Sequence, residues 1–156
     1  MLALAVGCAP KRKLATEQER KEAALLVSEA RFALTLKDWT RAEGLFAKAV
    51  QISPEGDTYM AFGATRVRLG NKGAAKEAYR AALAAYEDDA ARVATSSDPW
   101  LKQAFVLAVL GRMDDSRGVI EKAAKRFPDD GKVRSLLDPK QFEAMIASPS
   151  FKEMAL

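Results

Sequence analysis

The sequence predicts an all-α fold: a right-handed α-solenoid of three helix hairpins closed by a helical C-terminal cap. Three observations predict it. A small residue, a large apolar residue four positions on and an alanine three further recur as Ala42, Phe46, Ala49; Ala75, Tyr79, Ala82; and Ser116, Ile120, Ala123. A turn precedes each set: Lys37-Asp38-Trp39, Gly70-Asn71-Lys72 and Gly111-Arg112-Met113. No alternating run of β-branched residues bounded by turns occurs, so no strand is expected.

The first segment, residues 1–16, is not helical in pattern. Met1 to Pro10 are apolar or small and are followed by Lys11, Arg12 and Lys13. The run Leu4-Ala5-Val6-Gly7-Cys8 resembles a bacterial lipobox, in which a signal peptidase cuts before a cysteine that then carries the lipid. Gly7 and Ala9 are small enough for a peptidase cleft, and a thiol suits acylation because its thiolate is a strong nucleophile. The resemblance implies a lipid on Cys8, with residues 9–16 as a tether. Lys11 to Lys13 would then meet anionic headgroups, at roughly 1 kcal/mol per charge. It departs from the family in three ways. No basic residue precedes Cys8, the apolar run reaches only from Leu2 to Val6, and Ala5 stands where Leu is more usual. A secretory signal needs about 7–15 apolar residues, so the start of the signal is expected upstream. The other reading is a cytosolic N-terminus with an incidental cysteine. No run of about 18 apolar residues predicts a membrane-spanning helix.

Residues 17–128 read as three repeats, about 17–54, 55–97 and 98–128. Thr16-x-x-Glu19 is a capping box that opens the first helix. Ala30, Gly63 and Ala104 are expected to face Ala42, Ala75 and Ser116, because two helices approach closely only through small side chains. Phe46, Tyr79 and Ile120 then fill the space toward the next repeat. Pro54 and Pro128 end second helices, having no amide hydrogen to continue them. Tyr79, Ala82, Leu83, Tyr86, Ala90 and Val93 keep a helical spacing, so the second helix of repeat 2 is predicted about two turns too long. Asp98-Pro99 reads as a cap residue and a first-turn proline opening the third repeat.

This pattern resembles the tetratricopeptide repeat (TPR), with Tyr59-x2-Phe62-Gly63 as its clearest stretch and a usual period of about 34. Ala42, Ala75 and Ser116 follow at intervals of 33 and 41, the second carrying the extra turns. Glu29 and Gln103 stand where the family prefers Leu, and Ala33 and Arg66 where it prefers Tyr. The resemblance implies a non-catalytic adaptor that binds a protein segment. TPR-like lipoproteins often serve assembly of outer-membrane machines.

Residues 129–156 carry the clusters Val133-Leu136-Leu137, Phe142-Met145-Ile146 and Phe151-Met154, with helix starts at Asp138-Pro139 and Ser148-Pro149. They read as a helical cap over the last open face of the stack. The sharper alternative is a mobile tail that competes with ligand.

Composition narrows the chemistry. The chain has no histidine and one cysteine, which excludes the usual near-neutral base, Ser-His and Cys-His dyads, an internal disulfide and most zinc sites. No Gly-rich loop cradles a phosphate. Asp88-Asp89, Asp114-Asp115 and Asp129-Asp130 read as helix caps and solvated faces, and Trp39 and Trp100 as packing residues. No cofactor, metal or small-molecule substrate is expected. Net charge is +4. The basic residues Arg66, Arg68, Lys72, Lys76 and Arg80 read as a solvated helix face; a nucleic-acid surface is the alternative.

Stacked first helices present an inner stripe that binds extended partners. Spacing places it at Val27, Arg31, Leu34 and Thr35, then at Met60, Ala64, Val67 and Arg68. The third set, Leu101, Phe105, Ala108 and Val109, is wholly apolar and is expected under Phe142, Met145 and Phe151. The open sets suit an amphipathic helix or an extended segment carrying acidic residues. The Lys/Asn/Arg clamp of TPR cochaperones is missing: the equivalent positions hold Val27, Arg31, Ala61, Asp98 and Lys102. The expected protein is thus an adaptor lipid-anchored through Cys8 at a bacterial outer membrane, facing the periplasm. The alternatives are a soluble cytosolic adaptor without lipid and a nucleic-acid binder.

Overall fold

The computed structural model describes residues 14–156, so the predicted lipobox and Cys8 lie outside the described residues. Among the described residues the chain forms nine helices and no strand. They are α1 (Glu17–Thr35), α2 (Trp39–Ile52), α3 (Gly56–Arg68), α4 (Lys72–Arg92), α5 (Asp98–Val109), α6 (Met113–Arg126), α7 (Gly131–Leu137), α8 (Pro139–Ala147) and α9 (Pro149–Lys152). The fold is all-α, and the helices pack consecutively. α1 with α2, α3 with α4 and α5 with α6 form hairpins, joined by the α2–α3 and α4–α5 contacts.

The three hairpin turns share one mechanism. The residue after each helix C-cap is left-handed: Lys37 at φ 59°, Gly70 at 77° and Gly111 at 77°. Each of these amides donates to the carbonyl three residues back: Lys37 to Leu34, Gly70 to Val67 and Gly111 to Ala108. The following amide reaches five back: Asp38 to Ala33, Asn71 to Arg66 and Arg112 to Leu107. This is the Schellman arrangement, which satisfies the otherwise open carbonyls of a helix end. The next residue then caps the second helix. Asp38 Oδ1 accepts from Arg41 N at 3.0 Å, and Asn71 Oδ1 from Ala74 N at 3.1 Å. Arg112 has no such cap bond. One three-residue turn therefore closes one helix and opens the next.

The expected small residues are buried. Ala30, Ala42, Ala75 and Ser116 have no exposed surface, and Ala104 is 1 % exposed. Ser116 Oγ donates to the Ala104 carbonyl at 2.7 Å, tying α6 to α5. Gly63 packs on the Tyr79 ring, where a β-carbon would sit 2.6 Å from Cδ1. Phe46, Tyr79 and Ile120 are fully enclosed. Burying each such side chain stabilises by about 1.5–3 kcal/mol.

The capping box at Thr16 and Glu19 is formed. Asp138 and Ser148 cap α8 and α9 through their side chains. Asp98 does not play the expected part. Ser97 is the N-cap of α5 and Asp98 already lies inside the helix, with Pro99 following. Ser97 Oγ instead donates to Asp130 Oδ2 at 2.6 Å, joining the start of α5 to the start of α7.

α4 has 21 residues against 14 in each of α2 and α6, so the extra two turns are present. Val93 is the C-cap and exposed rather than a core residue. Gln103, where the repeat favours Leu, is buried and donates to the Tyr86 carbonyl at 3.2 Å. Arg66, where the repeat favours Tyr, lies 3.6 Å from the Phe62 ring centre and pairs with Glu43 at 2.9 Å.

The C-terminal helices do two jobs. Phe142 of α8 packs with Ala104 and Ile120, on the α5–α6 hairpin. It therefore does not cover the inner stripe of α5, as the sequence suggested. Phe151 of α9 does: its ring meets Phe105 edge-on, with centroids 5.6 Å apart. At the other end of the chain, Leu25, Phe32 and Leu36 form an exposed stripe along α1.

Candidate functional site

The first-helix side of the molecule carries one long groove in two halves. The first half, between α1 and α3, is a cleft of about 490 Å³. Val27 and Arg31 line it, with Arg20, Ser28, Thr58 and Ala61, and Glu55 and Asp57 at its edge. The three-residue turn sets this geometry, because it returns the chain antiparallel and leaves α1 and α3, both packed on α2, as the walls of the cleft.

Beside the cleft is a polar junction. Asp57, in the first turn of α3, accepts from Tyr86 Oη at 2.5 Å and from Lys102 Nζ at 2.8 Å. Lys102 also lies 5.5 Å from the centre of the Tyr86 ring. Burial works against the Asp57 carboxylate, but the hydrogen bonds from Lys102 and Tyr86, with the charges of Lys102 and Arg31, outweigh it. They hold its carboxyl below the usual carboxylate range. Burial raises Tyr86, and the bond to Asp57 raises it further, so its phenol stays neutral well beyond the ordinary range. α3 can come this close to Tyr86 because Gly56 has no side chain: a β-carbon there would lie 2.6 Å from Tyr86 Cδ1. Asp57 thus pairs with Lys102 beside the cleft, while Arg31 lines the cleft itself.

The second half of the groove, between α3 and α5, is occupied by the chain itself. Phe151 is buried in one cluster with Val106 and Val109, its ring against Phe105. Met60, Val67, Met154 and Leu156 pack around the same cluster. Glu153 forms an ion pair with Arg68. Tyr79 Oη donates to the Met154 carbonyl at 2.9 Å, and Leu156 N to the Val109 carbonyl at 3.2 Å.

The sequence-derived stripe divides accordingly. Val27 and Arg31 line the open cleft. Leu34 is half-buried against the α1–α2 core, and the Thr35 hydroxyl turns back on the Phe32 carbonyl at 2.7 Å. Met60 and Val67 lie under the C-terminal segment, Ala64 is half-buried, and Arg68 is exposed but engaged. Arg68 also lies 4.8 Å from the Trp39 ring centre. The spacing did not reveal Asp57, Tyr86 or Glu153. A lone aspartate after a helix start reads as a dipole partner, and Glu153 meets Arg68 only through the tertiary fold.

The basic residues of repeat 2 are largely paired. Arg66 binds Glu43, Arg68 binds Glu153 and Arg80 binds Glu77 at 2.8 Å. Among the described residues no three Cys, Asp or Glu side chains cluster as metal ligands. No helix among them is long and apolar enough to cross a membrane. The Trp100 indole nitrogen is buried and has no hydrogen-bond partner among the described residues.

Fold and groove together define an all-α chain of consecutive helix hairpins with an amphipathic groove along its first helices. No protein-family model matches the chain, and no curated protein matches it either.

Proposed function

We propose that this chain is a non-catalytic adaptor of the TPR type, which holds a segment of another protein along its first helices. One observation carries the reading. The same Schellman turn, with small residues in register on both sides, is built three times and leaves the α1–α3 cleft open beside Val27, Arg31 and Ala61. A cleft lined by aliphatic side chains and edged by both signs of charge suits an amphipathic segment. Arg31 would meet an acidic residue of that segment. The sequence around Cys8 adds a lipid anchor to the proposal, placing the adaptor at a bacterial envelope membrane.

Site-specific photocrosslinking tests this. A photoreactive residue at Val27 or Ala61 should capture a defined polypeptide in the source cell. The same residue at Lys48 or Ala84, exposed on second helices, should not. Capture from the second helices alone would place the contact on the opposite side and refute the reading.

A further inference from the structure

The C-terminal segment makes, with the α3–α5 half of the groove, each kind of contact that a bound peptide would make. An aromatic anchor, Phe151, is enclosed against Phe105. Two residues on, an acid meets the one arginine of α3 that faces it. The next residue offers a main-chain carbonyl to Tyr79 Oη, and Leu156 offers an amide to Val109. The receptor side is built for these contacts. Tyr79 is wholly buried, and burial keeps its phenol protonated far into the alkaline range, so it remains a donor.

The attachment is slight for a structural cover. α9 has only four residues, too few for an independently stable helix. The Arg68–Glu153 pair is exposed on both partners, and such pairs contribute little to stability. Phe151 is the one buried side chain of the segment, and Met154, Ala155 and Leu156 are only partly buried beside it. A segment held this way is a tethered ligand. It binds because attachment gives it an effective concentration in the millimolar range, rather than because its contacts are strong.

We propose that residues 149–156 occupy a peptide-binding face and must leave it before that face takes a partner. The partner is a protein segment of the same chemistry: an aromatic residue, an acid two positions later, then aliphatic side chains at the next position and two beyond. This rests on the adaptor reading above, and it names both the partner's chemistry and the intramolecular inhibitor. Charge complementarity at Arg68 selects the acid, and the Phe105 surface selects the aromatic ring.

The test uses the full chain and a fluorescent peptide with the sequence of residues 148–156, Ser-Pro-Ser-Phe-Lys-Glu-Met-Ala-Leu. Anisotropy should show weak binding to the unaltered chain and at least tenfold tighter binding to Glu153→Arg, whose own tail is repelled by Arg68. Glu153 is exposed, so this variant keeps its core. Arg68→Glu should reverse the preference, binding a peptide in which the glutamate is replaced by arginine more tightly than the original. Phe151→Ser, where circular dichroism shows it folded, should bind like Glu153→Arg. If folded Glu153→Arg binds the peptide no better than the unaltered chain, the segment is a fixed cover and the proposal fails. A concentration-dependent dimer of the unaltered chain that Glu153→Arg dissolves would overturn it too, because the occupant would then be a second copy. Neither failure touches crosslinking at Val27, so the adaptor reading is judged separately.

Discussion

Lys37 holds the backbone conformation that its two counterparts give to glycine. All three sit at the left-handed position of the same turn. An L side chain there costs about 1–2 kcal/mol, part of which glycine's greater unfolded entropy cancels. Lys37→Gly should therefore stabilise the chain by about 0.5–1 kcal/mol, and Gly70→Ala should destabilise it by a similar amount. Urea titration of both reads the signs directly. A second pair separates space from propensity. Gly44 on α2 has no atom within 4 Å of where a β-carbon would be. Alanine is the better helix former by about 1 kcal/mol, so Gly44→Ala should raise the melting temperature. At Gly63 the same gain is outweighed by overlap with the buried Tyr79 ring. Overpacking costs typically 1–3 kcal/mol, so Gly63→Ala should lower it. Alanine's small volume is enough to tell the two environments apart.

The lengthening of α4 is the element that most shapes the site. Tyr86 begins the stretch that outruns the other second helices. From there it contacts Gly56, donates to Asp57 and accepts from Gln103. The interval of 41 between Ala75 and Ser116 made the extra turns legible, because the apolar spacing continued through them. Their use was not legible: no pattern in the sequence links Tyr86 to Asp57, which lies on the other helix of the same hairpin. Gln103 looked like a defect in the repeat, and the structure makes it the partner of a carbonyl of the longer helix. Gln103→Leu should thus fail to stabilise despite matching the repeat, since it leaves the Tyr86 carbonyl without that donor. The Tyr86 carbonyl keeps its bond within α4, so the expected loss is that of one hydrogen bond, about 0.5–1.5 kcal/mol, measured by chemical denaturation. The helical C-terminus was likewise legible from its three clusters. Phe142 and Phe151 could not be assigned to faces, because two short helices with intervening prolines have no fixed direction in sequence.

At the scale of the whole molecule, the turns and the burial of the small residues were legible because each is local or repeats at a near-constant interval, although Gly63 meets Tyr79. The division of the groove was not, since it depends on a contact between residues 68 and 153. Ionisation adds a prediction at this scale. Tyr79 and Tyr86 have phenols raised by burial. The unfolded chain releases those protons near pH 10 while the folded chain keeps them. Stability is therefore fully present below about pH 10 and falls above it, by up to about 1.4 kcal/mol per pH unit for each tyrosine. Asp57 and Asp130 are lowered, Asp130 by its bonds from Ser97 and the α7 amides. Their contribution is present above about pH 4 and is lost as pH falls through the lower folded values. Denaturation midpoints should hold between these limits, and Tyr86→Phe should flatten the alkaline arm.

The exposed stripe of Leu25, Phe32 and Leu36 gives the molecule a direction. Stacked hairpins are stabilised by their neighbours, so a hairpin with one neighbour opens more readily than one with two. The α5–α6 hairpin is flanked by α4 on one side and α7 and α8 on the other. The α1–α2 hairpin packs on one side only among the described residues, against α3 and Ala78 of α4. Among the three hairpins, α1–α2 should therefore open most readily, with amide exchange faster in α1 than in α4 and slowest in α5. A force applied at the α1 end would take off the α1–α2 hairpin first and reach the α5–α6 hairpin last.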